Sequence, residues 1–363
     1  MTRIFLLALL ASAGAFAQYQ TQNVILVTTD GLRWQDVFHG MDPQLENLKE
    51  AGMTGDGAEV RRRFDGKTPE ERRKKLMPFL WSTVVNEGVL IGDRDHGSVA
   101  RVRNRHRFSY PGYSEIMTGR PQDDVINSND LKPNPSTTVL EIVRSKLDLP
   151  REKVALFGSW NVFQGIGAHR ADSVMINAGY QPLAAGSWSP RLAQVAASQF
   201  ELLTPWRSVR HDYSTFEMAR EYFRTIKPRV LYIALGETDD WAHDKRYDRV
   251  LETANYVDHC LSEIWQAVQA DPAYRGKTTL LVTVDHGRGS TPQDWQSHGA
   301  KVDGAEYIWM AALGPDTKAQ GVAKPREART QSDIAPTILE LLGLDYRLLT
   351  AVEGKPLPEA TSK

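Results

Sequence analysis

The chain has a single cysteine in 363 residues, Cys260, so no disulfide can form within it and stability has to come from a packed core. Neither sign of charge is in excess. There are 44 Lys and Arg against 45 Asp and Glu, a net charge of −1, so the basic surplus of a nucleic-acid binder is missing and no nucleic-acid partner is expected. Beyond the N-terminus no apolar run approaches the ~20 residues that a membrane span requires. Internal repeats and low-complexity tracts are also lacking. What is present is an ordinary globular composition, 41% hydrophobic and 25% charged, with length for one large domain or two modest ones.

The opening "MTRIFLLALLASAGAFAQ" places Arg3 before an apolar stretch and then Ala15-Phe16-Ala17, a small-x-small cleavage pattern. Met1 to Ala17 therefore reads as a removable signal peptide, 18–363 as the mature domain, and the protein as periplasmic or secreted. A membrane anchor is the alternative, for which the apolar stretch is short. Cys260 falls on the apolar side of the helical pattern Val250, Ala254, Val257, Leu261, Ile264, Val268, where packing is its role.

Short apolar runs at 23–29, 153–159, 229–235, 278–284 and 305–313 read as parallel strands covered on both faces. Helical patterns separate most of them, and "DIAPTILELLGL" closes the chain at 333–344. The alternation predicts a doubly wound α/β fold, with a mostly parallel sheet and helices on both faces. Two stretches interrupt it. Residues 53–75 are polar, with Thr68 as a helix N-cap and Glu71 three residues on, and residues 120–215 have the loop-rich, Trp-containing character of an insertion over an active site.

Ligands of such sheets gather at the carboxyl ends of the strands. Here "NVILVTT" runs into Asp30, "RVLYIAL" into Gly236-Glu237-Thr238-Asp239-Asp240, and "TTLLVTV" into Asp285-His286. Asp30, Asp285 and His286 would supply two carboxylates and an imidazole to one ion. Asp239, His243 and His298 would supply one carboxylate and two imidazoles to another. The choice of Asp239 over Asp240 follows from the D-x-x-x-H spacing. Donor sets of this kind suit two divalent cations, zinc or alternatively manganese. The nucleophile between them is Ser109 in "RFSYPGYSEIMTGRP", with Pro111 in the first turn of a helix whose N-terminus attracts anions. A plain helix-cap serine is the simpler reading of the same residue.

Asp30-Gly31, Ser109-x-Pro followed by Thr118-Gly119, Asp239-x-x-x-His243, Asp285-His286-Gly287, His298 and "DIAPTILELLG" together resemble the alkaline phosphatase superfamily across nearly the whole mature chain. The resemblance implies a bimetallic α/β hydrolase in which a Ser, Thr or modified Cys attacks phosphorus or sulfur. Its subfamilies divide the evidence. Phosphodiesterases resemble T-F-P-N at the nucleophile, whereas this chain has Ser109-Tyr110-Pro111-Gly112, which leaves Gly112 as the candidate substrate-binding position. Sulfatases resemble C/S-x-P-x-R, and Tyr113 replaces that Arg. His298 follows His286 by 12 residues, as in the phosphomutases and phosphoethanolamine transferases.

Arg288 is the candidate phosphate contact. Arg101, Arg103, Arg105 and Arg107 alternate before Ser109 and would share one face of an extended segment, either steering anions or keeping an edge strand soluble. Trp34, Trp160, Trp241 and Trp295 read as core, or as a platform for an aromatic leaving group. The expected activity is cleavage of a small-molecule phosphate mono- or diester through a phosphoserine. Sulfate or phosphonate hydrolysis, a phosphomutase-like transfer and a non-catalytic metal-bound protein are the alternatives.

Overall fold

The computed structural model describes residues 19–46, 52–53, 57–183, 186 and 188–362, so the Met1–Ala17 segment read as a signal peptide lies outside the described residues. β1 (Asn23–Thr29) is buried at every position, and its Val, Ile and Thr side chains suit a pleated strand covered on both faces. The chain continues through β2 (Val89–Ile91), β3 (Ala100–Arg101), β4 (Val154–Gly158), β5 (Met175–Ala178), β6 (Val230–Leu235) and β7 (Thr278–Val284). It ends with β8 (Tyr307–Ile308), β9 (Met310–Leu313), β10 (Gly321–Val322) and β11 (Arg329–Thr330). Eight strands form one sheet in the order β10-β2-β9-β7-β1-β6-β4-β5, and β11-β3-β8 form a small second sheet.

β1 is parallel to both neighbours, with Thr29 level with Leu235 on one side and Val284 on the other. The next residues, Asp30, Gly236 and Asp285, therefore emerge side by side at one edge. This is the point where the winding reverses, and it is where the predicted ligands lie.

The 305–313 run departs from its reading as one parallel strand. Tyr307–Ile308 pairs with β3 in the small sheet, and after Trp309 the chain joins the large sheet antiparallel to β7 and β2. Trp309 is fully buried and its indole N–H donates to Leu32 O at 3.2 Å, which pins the changeover. Residues 120–215 carry β4 and β5, which complete one side of the large sheet, with loops between them. Helices Gly57–Phe64 and Pro69–Leu76 occupy the other interrupted stretch, and Thr68 Oγ accepts from Glu71 N at 3.2 Å as a cap. Cys260 is buried on the inner side of the helix Tyr247–Ala270. Among the described residues no helix is long and apolar enough to cross a membrane.

Candidate metal centre

Six side chains converge at the carboxyl edge in two groups, Asp30 with Asp285 and His286, and Asp239 with His243 and His298. Within each group the donor atoms lie within 4.8 Å of one another. β1 and β7 deliver the first group directly. The short helix Glu237–His243, which begins where β6 ends, places Asp239 and His243 one turn apart on one face. His286 Nε2 lies 3.3 Å from Asp30 Oδ1, 3.4 Å from Asp285 Oδ2 and 3.7 Å from Asp239 Oδ1, so the two groups touch. Ser109 Oγ lies 3.4 Å from the same His286 Nε2.

Several observations favour cations here. Asp30 Oδ1 and Asp285 Oδ2 are buried without a hydrogen-bond partner, a costly state unless something positive takes them. His286 Nδ1 lies 3.0 Å from Gly287 O and His298 Nδ1 3.3 Å from Arg107 O. A carbonyl only accepts, so each Nδ1 holds the proton and each Nε2 presents a lone pair inward. His243 Nε2 and His298 Nε2 face each other at 3.0 Å, and the His286 and His298 rings stack at 3.9 Å.

The electrostatics agree. Burial, with the Asp239 charge beside it, pushes the Asp30 carboxyl well above the usual range, and burial next to Asp30 does the same to Asp285. Burial and the neighbouring His286 push His298 down to about 2. Against the cost of its own burial, Asp239 is held well below the carboxylate range by the Arg288 guanidinium and His243. Two inward carboxyl groups and inward imidazole nitrogens are the donor types of a candidate cation site.

The remaining predicted positions have distinct surroundings. Asp240 Oδ2 lies 3.8 Å from where a Cβ of Gly236 would stand, and burial next to Asp239 raises its carboxyl to about 9. Arg288 is buried and its donors go to protein. Nε donates to Gly31 O at 2.9 Å, Nη1 to Gln296 O at 2.5 Å, and Nη2 contacts the Asp239 carboxylate. Gly31 has to be glycine for this, because its φ is +57° and a Cβ would stand 2.8 Å from Arg288 Nη2. Gly112 is packed against the backbone instead of open space, since a Cβ there would lie 2.3 Å from Asp285 O. It lets the Ser109 helix approach β7.

Arg103, Arg105 and Arg107 pair with Glu353, Asp124 and Glu306 on the surface, and a left-handed φ of 55° at Arg107 breaks the alternation. Trp34 and Trp295 are core residues, Trp241 packs edge-on against Trp206 at 4.6 Å, and Trp160 lies against Phe163.

Sequence reasoning passed over two supports of the site. Tyr113, fully buried and packed on Phe163 at 4.5 Å, donates its hydroxyl to Asp30 Oδ2 at 3.0 Å and leaves Oδ1 to face inward. Its place one helical turn after Ser109 was the available signal. Glu115 is buried in the same helix and accepts from Arg103 N, Asn104 N and Nδ2, and Ser332 N and Oγ, tying down the segment that precedes Ser109. Tyr113→Phe frees Asp30 to rotate, and metal affinity is expected to fall by about 10-fold or more, as for other outer-shell partners. Equilibrium dialysis against zinc checks it, and an unchanged affinity would reduce Tyr113 to packing.

Three comparisons bear on this arrangement. A family profile described as "Metalloenzyme superfamily" matches residues 160–346, a little over half of the chain. A 2,3-bisphosphoglycerate-independent phosphoglycerate mutase from Acinetobacter baylyi is 25% identical over 140 residues, which cover 38% of this chain and 25% of that protein. The chain thus spans about a quarter of the length of the curated relatives it matches. The solved structure of wild-type alkaline phosphatase PafA superposes with a TM-score of 0.57 at 10% identity, covering 96% of this chain and 100% of that one. The phosphonate monoester hydrolase SpPMH from Silicibacter pomeroyi superposes with a TM-score of 0.54 at 14% identity, covering 94% and 77%. These two similarities establish an alkaline phosphatase-like fold.

Proposed function

The chain belongs to the Metalloenzyme superfamily, and on that footing we propose that it hydrolyses phosphate esters through Ser109 with two divalent cations. Asp30, Asp285 and His286 would hold one ion, and Asp239, His243 and His298 the other. Zinc fits this mixed nitrogen and oxygen set, with manganese the next match. Bound cations supply positive charge that lowers the pKa of a neighbouring hydroxyl and offsets charge on the departing oxygen.

The protein's own part begins with placement. Ser109 is the first residue of a ten-residue helix, so the positive end of the helix dipole faces the anion that the hydroxyl attacks, while the Tyr110 N–H donates to Asn129 Oδ1 at 3.0 Å. The Ser109 hydroxyl gives up its proton to solvent and its Oγ–phosphorus bond forms as the ester P–O bond breaks, while the departing oxygen takes a proton from solvent. Water then cleaves the phosphoserine and restores the hydroxyl. Tyr113, Arg288 and the carbonyls of Gly287 and Arg107 hold the donors in place while this proceeds. The Met1–Ala17 leader makes the enzyme an exported one under this reading.

The observation that carries the proposal is the triple proximity at His286 Nε2, with Asp30 at 3.3 Å, Asp239 at 3.7 Å and Ser109 at 3.4 Å. It joins both ligand groups and the hydroxyl at one point. Purified metal-loaded protein is expected to cleave 4-nitrophenyl phosphate or bis(4-nitrophenyl) phosphate at least about 100-fold faster, in kcat/KM, than 4-nitrophenyl sulfate, a gap of ~2.7 kcal/mol in barrier. A sulfate preference, or no turnover of any of the three, overturns it.

A further inference from the structure

We propose that Arg94 forms a second anion site at the rim of the metal centre and selects phosphate esters whose leaving group carries a carboxylate or another negative group; this rests on the hydrolase reading above. β2 is antiparallel to β9, which is antiparallel to β7, so β2 points the same way as β7 and ends at the ligand-bearing edge. Arg94 follows three residues after its end. β2 and β7 are two strand spacings apart, about 10 Å, so the strand that leads to Arg94 lies on the side of a remote substituent and not of the reacting phosphorus.

The surroundings of Arg94 are those of a poised anion receptor. Its guanidinium carbon lies 3.3 Å from the centre of the Tyr307 ring and 5.6 Å from that of Trp34, contacts that hold the charge in place without using its N–H donors. Among the described residues no carboxylate or carbonyl takes those donors. The acids on either side pair with imidazoles, Asp93 Oδ2 with His96 at 2.8 Å and Asp95 with His39 at 3.0 Å, while Asp93 Oδ1 is buried without a hydrogen-bond partner. Trp34 is 6% exposed and its indole N–H also lacks an acceptor. Lys324, a second cation with no carboxylate partner among the described residues, crosses the same turn, with Nζ 3.0 Å from where a Cβ of Gly97 would stand. Tyr307 ties the turn to the centre, because its carbonyl would lie 2.2 Å from a Cβ on Gly287, the residue after His286.

The test compares phenyl phosphate with 4-carboxyphenyl phosphate, which share a reacting group and differ by one carboxylate. Metal-loaded wild type is expected to show the lower KM for the carboxylated ester. Arg94→Met keeps the packing on Tyr307 and removes the charge. It should raise that KM about 10-fold or more while leaving phenyl phosphate turnover within about twofold, as loss of a charge-assisted bond requires. The same KM ratio in wild type and variant overturns the inference. If wild type cleaves neither ester, the hydrolase reading fails and the rim site is read by calorimetric binding of the two esters. There, tighter binding of the carboxylated ester that is lost in Arg94→Met sustains it, and equal affinities overturn it. Metal content and melting temperature of the variant, matched to wild type, establish that it is folded.

Discussion

Ser109→Ala is expected to lower phosphate ester turnover by on the order of 10⁴-fold or more while leaving metal content and melting temperature near those of the parent. The substitution removes one oxygen. Ser109 is 6% exposed and its hydroxyl caps nothing: the residue before the helix is Phe108, and the Tyr110 N–H of the first turn donates to Asn129 Oδ1 at 3.0 Å. A serine retained as a helix cap would behave the opposite way, with about 1 kcal/mol of stability lost on truncation and activity preserved. Turnover within tenfold of the parent would therefore remove Ser109 from the mechanism. The six ligand side chains come from other parts of the chain, and that separation makes the two readouts independent.

Chelation is the second large effect. Removing the cations is expected to abolish turnover, to be reversed by adding zinc or manganese, and to lower stability by about 4 kcal/mol relative to protein held at a thousandfold excess over the dissociation constant. The metal-free protein should also respond to pH with a definite sign. Asp240 is raised to about 9 and Asp30 and Asp285 well above the ordinary range, so in that interval the folded state binds more protons than the unfolded chain. Stability then falls as pH rises, with a slope on the order of 1.4 kcal/mol per pH unit for each proton involved. His298, depressed to about 2, works against this only below its unfolded value near 6.5, where the unfolded chain is the one that gains a proton. Between pH 6.5 and about 9 the carboxyls act without opposition from His298, and Arg210, lowered by burial to about 9, opposes them only as the upper limit is neared, where the unfolded chain is the one that keeps its proton. Thermal melts of chelated protein across that window should decline with pH, and a rise would mean that the carboxyls are not packed as described.

Much of the fold was legible because its informative strands are long enough to show a pattern. β1, β6 and β7 are continuous buried runs of β-branched and apolar residues, and an acid within two residues of the end of each is a signal that a core-forming segment has no physical reason to carry. The ligands could be read for the same reason. β2, β3, β10 and β11 were out of reach because two or three residues carry no period, and their placement depends on long-range pairing. The reversal at Trp309 was hidden because burial makes a parallel and an antiparallel strand look alike. Arg288 and Gly112 illustrate another limit. A basic residue or a glycine beside a nucleophile suggests substrate contact, whereas Arg288 is enclosed by acceptors from its own backbone and Gly112 by a carbonyl. Sequence spacing brings residues near one another but does not say which of them is enclosed.

The level register at Thr29, Leu235 and Val284 has a consequence for how the protein matures. Its coordinating groups are contributed from residue 30 to residue 298, and neither trio is complete until the last of the three inner strands has zipped into place. A nascent chain released before β7 therefore offers the ions at most the Asp239 and His243 pair on their one helix, and neither full trio. Cation capture would thus report that the whole central layer has closed, and a nick or deletion that displaced one strand by a single residue would silence that report even where most of the secondary structure survived.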